Sequence, residues 1–331
     1  MSYRHLAKIQ YRSSLEQALA LTQVKRDVFK NVEPLFVPLG ARGIFGGSLI
    51  AQALLAASKT VPENFYPHSL QSYFLAAGKP GQDVEYRVER LRDGKNFLSR
   101  ETRAYQGDKI IFIEVVSFTH DRKDLEGQLQ HSMKPRFEGL KELDQFVHPT
   151  KLAETKLFSQ GINPFQSSKE LLQNLFERFT YGVGEYRVRD NYFDDVTDPK
   201  HADFNKTPDE IDTDYFVKLR TPSEHKIFQY VAFAYFSDSV MLSTIWKFQK
   251  LKIFSPKLSV SLDHTIHFHT TPDLNKWVYT TLEHPRSIHG RKLMNGYAYD
   301  PIGGDLIATI QQEGLVITDE SAKAKRQGSK L

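Results

Sequence analysis

One pattern constrains this chain more than any other, because it occurs twice. A short helix-forming segment, rich in small and apolar residues, is followed by several strand-like runs joined by tight turns. In the first half the helix spans about Ser48 to Ser58, within RGIFGGSLIAQALLAASKTV, and HSLQSYFLA, VEYRVERLR, NFLSRETRAY and IIFIEVVSF follow it. Asp93-Gly94 and Gly107-Asp108 read as hairpin turns. In the second half the helix lies in FQYVAFAYFSDSVMLSTIW, Phe228 to Trp246. After it come SVSLDHTIHFHTT, KWVYTTLEH, RKLMNGYAYD and DLIATIQQEGLVI. Loose matches, HSLQSYF against LDHTIHF and QGDKIIFIEVVSF against GGDLIATIQQEGL, separate the copies by roughly 195 residues, which is too long for a solenoid and suits a duplicated domain. A helix followed by an antiparallel meander is an α+β unit.

The remaining segments fit around these two units. VKRDVFKNVEPLFVPL reads as a first strand, and strands near VGEYRV and YFVKLR precede the second helix. Gly40, Gly43 and Gly46 do not make a dinucleotide loop and read as helix entry and close packing. The expected division is 1–120 for the first copy, 121–180 for a polar linker, 181–320 for the second copy and 321–331 for a basic tail. The linker carries an amphipathic surface helix, Ser168 to Phe179, and Asp194 to Asp214 reads as an acidic loop. A length of 331 residues suits two such domains.

Composition narrows the function. The chain has no cysteine, which removes disulfides, thiolate metal sites and a cysteine nucleophile. The net charge of +4 is spread among acids, so nucleic acid is a poor fit, while an anionic small molecule suits the mild positive field. No apolar segment is long enough to span a bilayer, and no secretory signal is expected. Ser329, Lys330 and Leu331 form an S-K-L tripeptide, a receptor-read peroxisomal address, behind the polar lead-in SAKAKRQG.

Asp238 stands inside the most apolar run of the chain. Either the helix ends near Ser237 or turns Asp238 to water, or the carboxylate is buried for use. The first helix has no carboxylate, so the duplication favours one working copy and one structural partner, with Asp238 in the working one. Strand alternation in LIATIQQEGLVI puts Leu306, Ala308, Ile310, Gln312, Gly314 and Val316 on one face. Gln312 is the polar member of that face, and Gly314 beside it suggests an open pocket wall. In SVSLDHTIHFHTT, alternation puts His264 on the core face and Ser261 on the polar one, so Ser261 meets Asp238 only if a bulge or strand end re-aims it. His264, His267 and His269 do not have the spacing of a zinc site, and solvated or core-satisfied histidines are expected.

The stretches RGIFGGSLIAQAL, HSLQSYFL, LRDGKNF, AYFSDS, SVSLDHTIHFH and IQQEG together resemble the type II acyl-CoA thioesterases, and most nearly their fungal peroxisomal members. The resemblance implies a tandem double hotdog, each copy an antiparallel sheet wrapped around a central helix. It implies hydrolysis of fatty acyl-CoA by water held by a triad of Asp238, Ser261 and Gln312. Serine stands where bacterial relatives often have threonine. His68 is a further candidate near the site, and Arg92 and Lys95 are candidates for coenzyme A phosphates. No cofactor or metal is expected, and coenzyme A enters only with the substrate. The expected partners are the peroxisomal import receptor and further copies of the chain, and the expected compartment is the peroxisomal matrix. Two other readings stay open at this level: a hotdog enoyl-CoA hydratase or dehydratase, and a non-catalytic acyl-CoA-binding protein.

Overall fold

The computed structural model describes residues 14–38, 41–135, 140–158, 178–194, 196–211, 213–251 and 256–318. Two long helices, α1 (Gly46–Ser58) and α2 (Lys226–Ser237), sit at the centre. Both are apolar nearly all round and are buried on all sides, as such helices must be. They pack against each other, and both carry small buried residues. Ala51, Ala53, Ala56 and Ala57 of α1 and Ala232 and Ala234 of α2 are fully buried.

The strands form one antiparallel sheet that wraps this helical pair. The first half contributes β1 (Leu21–Lys25), β2 (Val28–Asn31), β3 (Tyr66–Phe74), β4 (Glu85–Asp93), β5 (Phe97–Gln106) and β6 (Lys109–Thr119). The second half contributes β7 (Phe146–Val147), β8 (Gly184–Arg189), β9 (Thr213–Leu219), β10 (Pro256–Ser261), β11 (Asp263–Phe268), β12 (Val278–Ile288), β13 (Arg291–Tyr299) and β14 (Leu306–Thr318). The order is β1-β2-β4-β5-β6-β3-β11-β14-β13-β12-β9-β8-β7, with β10 also paired to β14. The halves join where β3 meets β11, from Asp263↔Tyr73 to His267↔Ser69. Alternation fixes which face is buried. Along β14, Ala308, Ile310, Gln312, Gly314 and Val316 are buried, while Gln311 and Ile317 are exposed.

The structure departs from the sequence reading in four places. The stretch read as one first strand is a hairpin, β1 and β2, with Asp27 at φ 56° in its turn. Asp27 accepts two bonds of 2.9 Å from Arg90, which hold the turn to β4. Helix α1 begins two residues earlier than expected, at Gly46. The space expected beside Gly314 is filled: Leu242 lies where a Cβ would stand. The acidic stretch contains turns and a short 3-10 helix, Pro208–Glu210, before β9 begins at Thr213. Most of the linker helix, and the tail with Ser329, Lys330 and Leu331, fall outside the described residues.

One core position carries an unusual titratable group. Glu114 of β6 sits between Ser72 of β3 and Thr102 of β5, is fully buried, and has no hydrogen-bond partner for either carboxyl oxygen. Burial pushes its pKa well above the usual 4.5. A pKa raised on folding gives stability that is complete below 4.5 and declines as pH climbs toward the folded value, by about 1.4 kcal/mol per pH unit. Glu114→Gln removes that titration. Its melting temperature should therefore gain on the parent chain as pH rises above 4.5, read from melts between pH 4.5 and 8. A difference that does not change with pH would show that Glu114 does not titrate in this range.

Candidate active site

The C-terminus of α2 points at the N-terminus of α1, and the candidate site lies at that junction. Helix α2 ends at Ser237, so Asp238 is its cap, as one of the two sequence readings held. The cap does not swing out to water. As a residue it keeps some exposure, yet its carboxyl is packed closely by groups from both halves. A Cβ on Gly46 would stand 2.7 Å from Asp238 Oδ2 and 2.9 Å from Phe74 Cε1. The Gly47 N–H favours the charged form of the same carboxylate. Gly46 thus lets the start of α1 approach a carboxylate that a side chain there would push away, and Gly47 leaves room for the Tyr235 carbonyl, 2.5 Å from where its Cβ would stand.

Ser261 reaches the site by a bulge. β10 pairs Ser261 with Gly314, while β11 pairs Thr265 with Gln311. Three residues, Leu262, Asp263 and His264, therefore face two, Gln312 and Glu313. The extra residue reverses parity, so Ser261 and His264 both turn toward the helices. Asp263 braces the bulge by accepting the Glu313 N–H at 3.0 Å. The re-aiming that alternation demanded is present.

Gln312 draws the group together. Its Nε2 donates to Asp238 Oδ1 and to Ser261 Oγ, both at 2.7 Å, which uses both amide protons. Ser261 Oγ lies 3.5 Å from Asp238 Oδ1, a weak bond at best. Burial raises the Asp238 pKa, and the bonds from Gln312 and Gly47 pull it partly back, to about 6. Arg178 also favours the charged form; its Nη2 donates to the Ser239 carbonyl at 3.1 Å.

Beside this cluster lies a pocket lined by Leu19, Phe36, Ser48, Arg178, Tyr186 and Tyr235. Ser48 belongs to the first turn of α1, and Tyr235 stands three residues before Asp238. The pocket is mostly aromatic and apolar with one guanidinium at its wall.

The other expected residues lie elsewhere. His68 bonds Ser117 Oγ at 2.8 Å and meets the Phe97 ring, four residues along β3 from Ser72 and so about 13 Å from the row of His264. Arg92 and Lys95 are exposed at the β4–β5 turn. That turn sits where β3 begins, by the register Phe97↔Thr119↔Tyr66, and the cluster sits where β3 ends. His267 and His269 are exposed and His264 is buried; among the described residues no three potential ligands form a metal site. Three contributors were missed by the sequence reading: the Gly47 N–H, Arg178, and His264 as a neighbour of the cluster. Only His264 had a legible signal, since strand alternation put it on the core face.

Residues 37–119 match the family model described as acyl-CoA thioesterase N-terminal domain, and residues 206–315 match the one described as acyl-CoA thioesterase. The peroxisomal acyl-coenzyme A thioester hydrolase 1 of Saccharomyces cerevisiae is 34% identical to the chain, over 92% of the chain and 95% of that protein. The chain belongs to the acyl-CoA thioesterase family. The thioesterase superposes on an acyl-CoA thioesterase II from Mycobacterium marinum with a TM-score of 0.66 at 21% identity, covering 93% of the chain and all of that structure. A hot dog fold protein from Alicyclobacillus acidocaldarius superposes with a TM-score of 0.63 at 17% identity, over 92% of the chain and 98% of that structure. The fold is the double hotdog, and the thioesterase is an acyl-CoA hydrolase.

Proposed function

We propose that this thioesterase hydrolyses fatty acyl-CoA by direct attack of a water held by Asp238, Ser261 and Gln312. The observation that carries the proposal is the pair of 2.7 Å bonds from Gln312 Nε2, which bring a carboxylate and a hydroxyl to one point. Asp238 takes a proton from the water as its oxygen bonds to the thioester carbonyl carbon. Fixing that water in advance removes much of the entropic cost of attack. Because both Gln312 protons are spent, the developing oxyanion turns to a backbone N–H at the start of α1 other than those of Gly47 and Ser48, where the helix dipole also favours negative charge. The carbon–sulfur bond then breaks, and the coenzyme A thiolate takes the proton back from Asp238. The reaction needs no covalent acyl-enzyme and no cofactor. The pocket of Phe36, Tyr186 and Tyr235 takes the acyl chain.

The test is release of coenzyme A thiol from a panel of short to long acyl-CoAs, followed across pH. A base must be ionised to accept a proton, and Asp238 is held at about 6. The value of kcat/KM should fall about tenfold for each pH unit below 6 and level off above it. A flat profile down to pH 4 would remove Asp238 as the base.

The proposed compartment is the peroxisomal matrix. The name of the yeast relative and the tripeptide Ser329-Lys330-Leu331 support it. A fluorescent protein fused to the N-terminus should collect in puncta with a peroxisomal marker and should spread through the cytosol once the three residues are deleted. Puncta unchanged by the deletion would count against the address.

A further inference from the structure

Among the described residues, four buried side-chain nitrogen or oxygen atoms have no hydrogen-bond partner: both Glu114 oxygens, His264 Nδ1 and Gln312 Oε1. The last two belong to residues that share a row. With Thr265 opposite Gln311, the next step along both strands sets His264 beside Gln312, and both are fully buried. One of these two atoms can carry a proton and the other can only accept one. Each is costly to bury unmet.

The rest of the cluster fixes how they meet. Gln312 gives both amide protons to Asp238 and Ser261, so Oε1 faces the other way. A flipped amide would set Oε1 against the Asp238 carboxylate. On its other side, His264 Nε2 lies 2.8 Å from Ser237 Oγ, and a hydroxyl can donate or accept there. If Nε2 carried the ring proton, Nδ1 would present a lone pair to the row in which Oε1 lies. If Nδ1 carries it, every atom is met: Ser237 gives its proton to Nε2 in preference to the Ala234 carbonyl 2.9 Å away. Burial pushes the His264 pKa down to about 3, so the ring is neutral and holds one proton. Gln312 is the second influence on that ring and favours its protonated form, the sign of an acceptor facing it.

Building on the triad reading above, we propose that His264 is a positioning residue: as the neutral Nδ1–H tautomer it donates to Gln312 Oε1 and so fixes the end of the amide that faces Asp238 and Ser261. The circuit closes through Ser237, the chain neighbour of Asp238. His264 itself touches neither substrate nor water.

The experiment joins spectroscopy to kinetics. Histidine labelled with nitrogen-15 gives long-range proton–nitrogen patterns that distinguish the two tautomers, and the loss of one of twelve patterns in His264→Asn assigns the residue. The expected pattern is Nδ1–H, unchanged from pH 5.5 to 8. An Nε2–H pattern or an imidazolium overturns the proposal. Asparagine offers an N–H near the position of Nδ1, and glutamine offers one near Nε2. His264→Asn should stay within about tenfold of the parent kcat, while His264→Gln should lose on the order of 10²-fold with KM little changed. Equal losses in the two variants, or no loss in either, also overturn it. If a variant does not fold, the tautomer of the parent chain decides. Full activity in Asp238→Asn would sink the triad reading instead, and the tautomer would still be read independently.

Discussion

Asp238→Asn should lower the rate of thiol release by about two to four orders of magnitude, the contribution of a positioned base. The variant should fold. Asparagine keeps an acceptor for Gln312 at the Oδ1 position, and it removes a carboxylate whose burial opposes folding at neutral pH. The sign follows from its titration. The folded pKa of about 6 lies above the usual carboxylate value of 3.8, so the stability held below 3.8 is lost as pH rises through 6, roughly 3 kcal/mol in all. Asparagine is free of that loss, but its amide nitrogen meets the Gly47 N–H, which offsets part of the gain. A melting temperature at pH 8 equal to or above that of the parent chain, with activity gone, is the expected pair of results. More than a tenth of the parent activity would take Asp238 out of the chemistry.

The second large effect is expected at Gly46. Glycine to alanine within a helix ordinarily stabilises by up to about 1 kcal/mol. Here the added Cβ would lie 2.7 Å from Asp238 Oδ2 and 2.9 Å from the Phe74 ring. The carboxylate or the helix must move. Gly46→Ala should therefore destabilise by about 1–3 kcal/mol, the cost of overpacking. It should also reduce kcat/KM on the order of 10²-fold, because the base is displaced from the water it holds. Thermal melts and initial rates on one preparation check both. A variant more stable than its parent and fully active would show that α1 does not crowd the carboxylate.

Much of this site was legible in the sequence, for identifiable physical reasons. Gln312 was readable because strand alternation is strict and a lone amide on an apolar face needs partners. Asp238 was readable as a carboxylate in an apolar run, although its two readings proved compatible: the helix does end at Ser237, and the cap is held between the two halves. Ser261 was readable only as a contradiction, since alternation turned it outward; the bulge that resolves this is a property of pairing, which one strand alone does not reveal. The Gly47 N–H had no signal, because a backbone donor from nearly 200 residues away is set by how the helices dock. Motif likeness suggested His68 near the site and Arg92 and Lys95 for coenzyme A phosphates, and sheet register, which links distant strands, places all three toward the opposite end of β3 from the triad.

The meeting of β3 with β11 ties the two halves into one sheet, and the candidate site takes α1 from one half and Asp238, Ser261 and Gln312 from the other. Two free proteins bearing these parts would meet by collision and separate on dilution. In a single covalent chain the meeting is intramolecular, so an effective concentration governs it rather than the amount of protein present. Assembly of the site is thereby uncoupled from abundance, and a cell holding very few copies keeps each one complete.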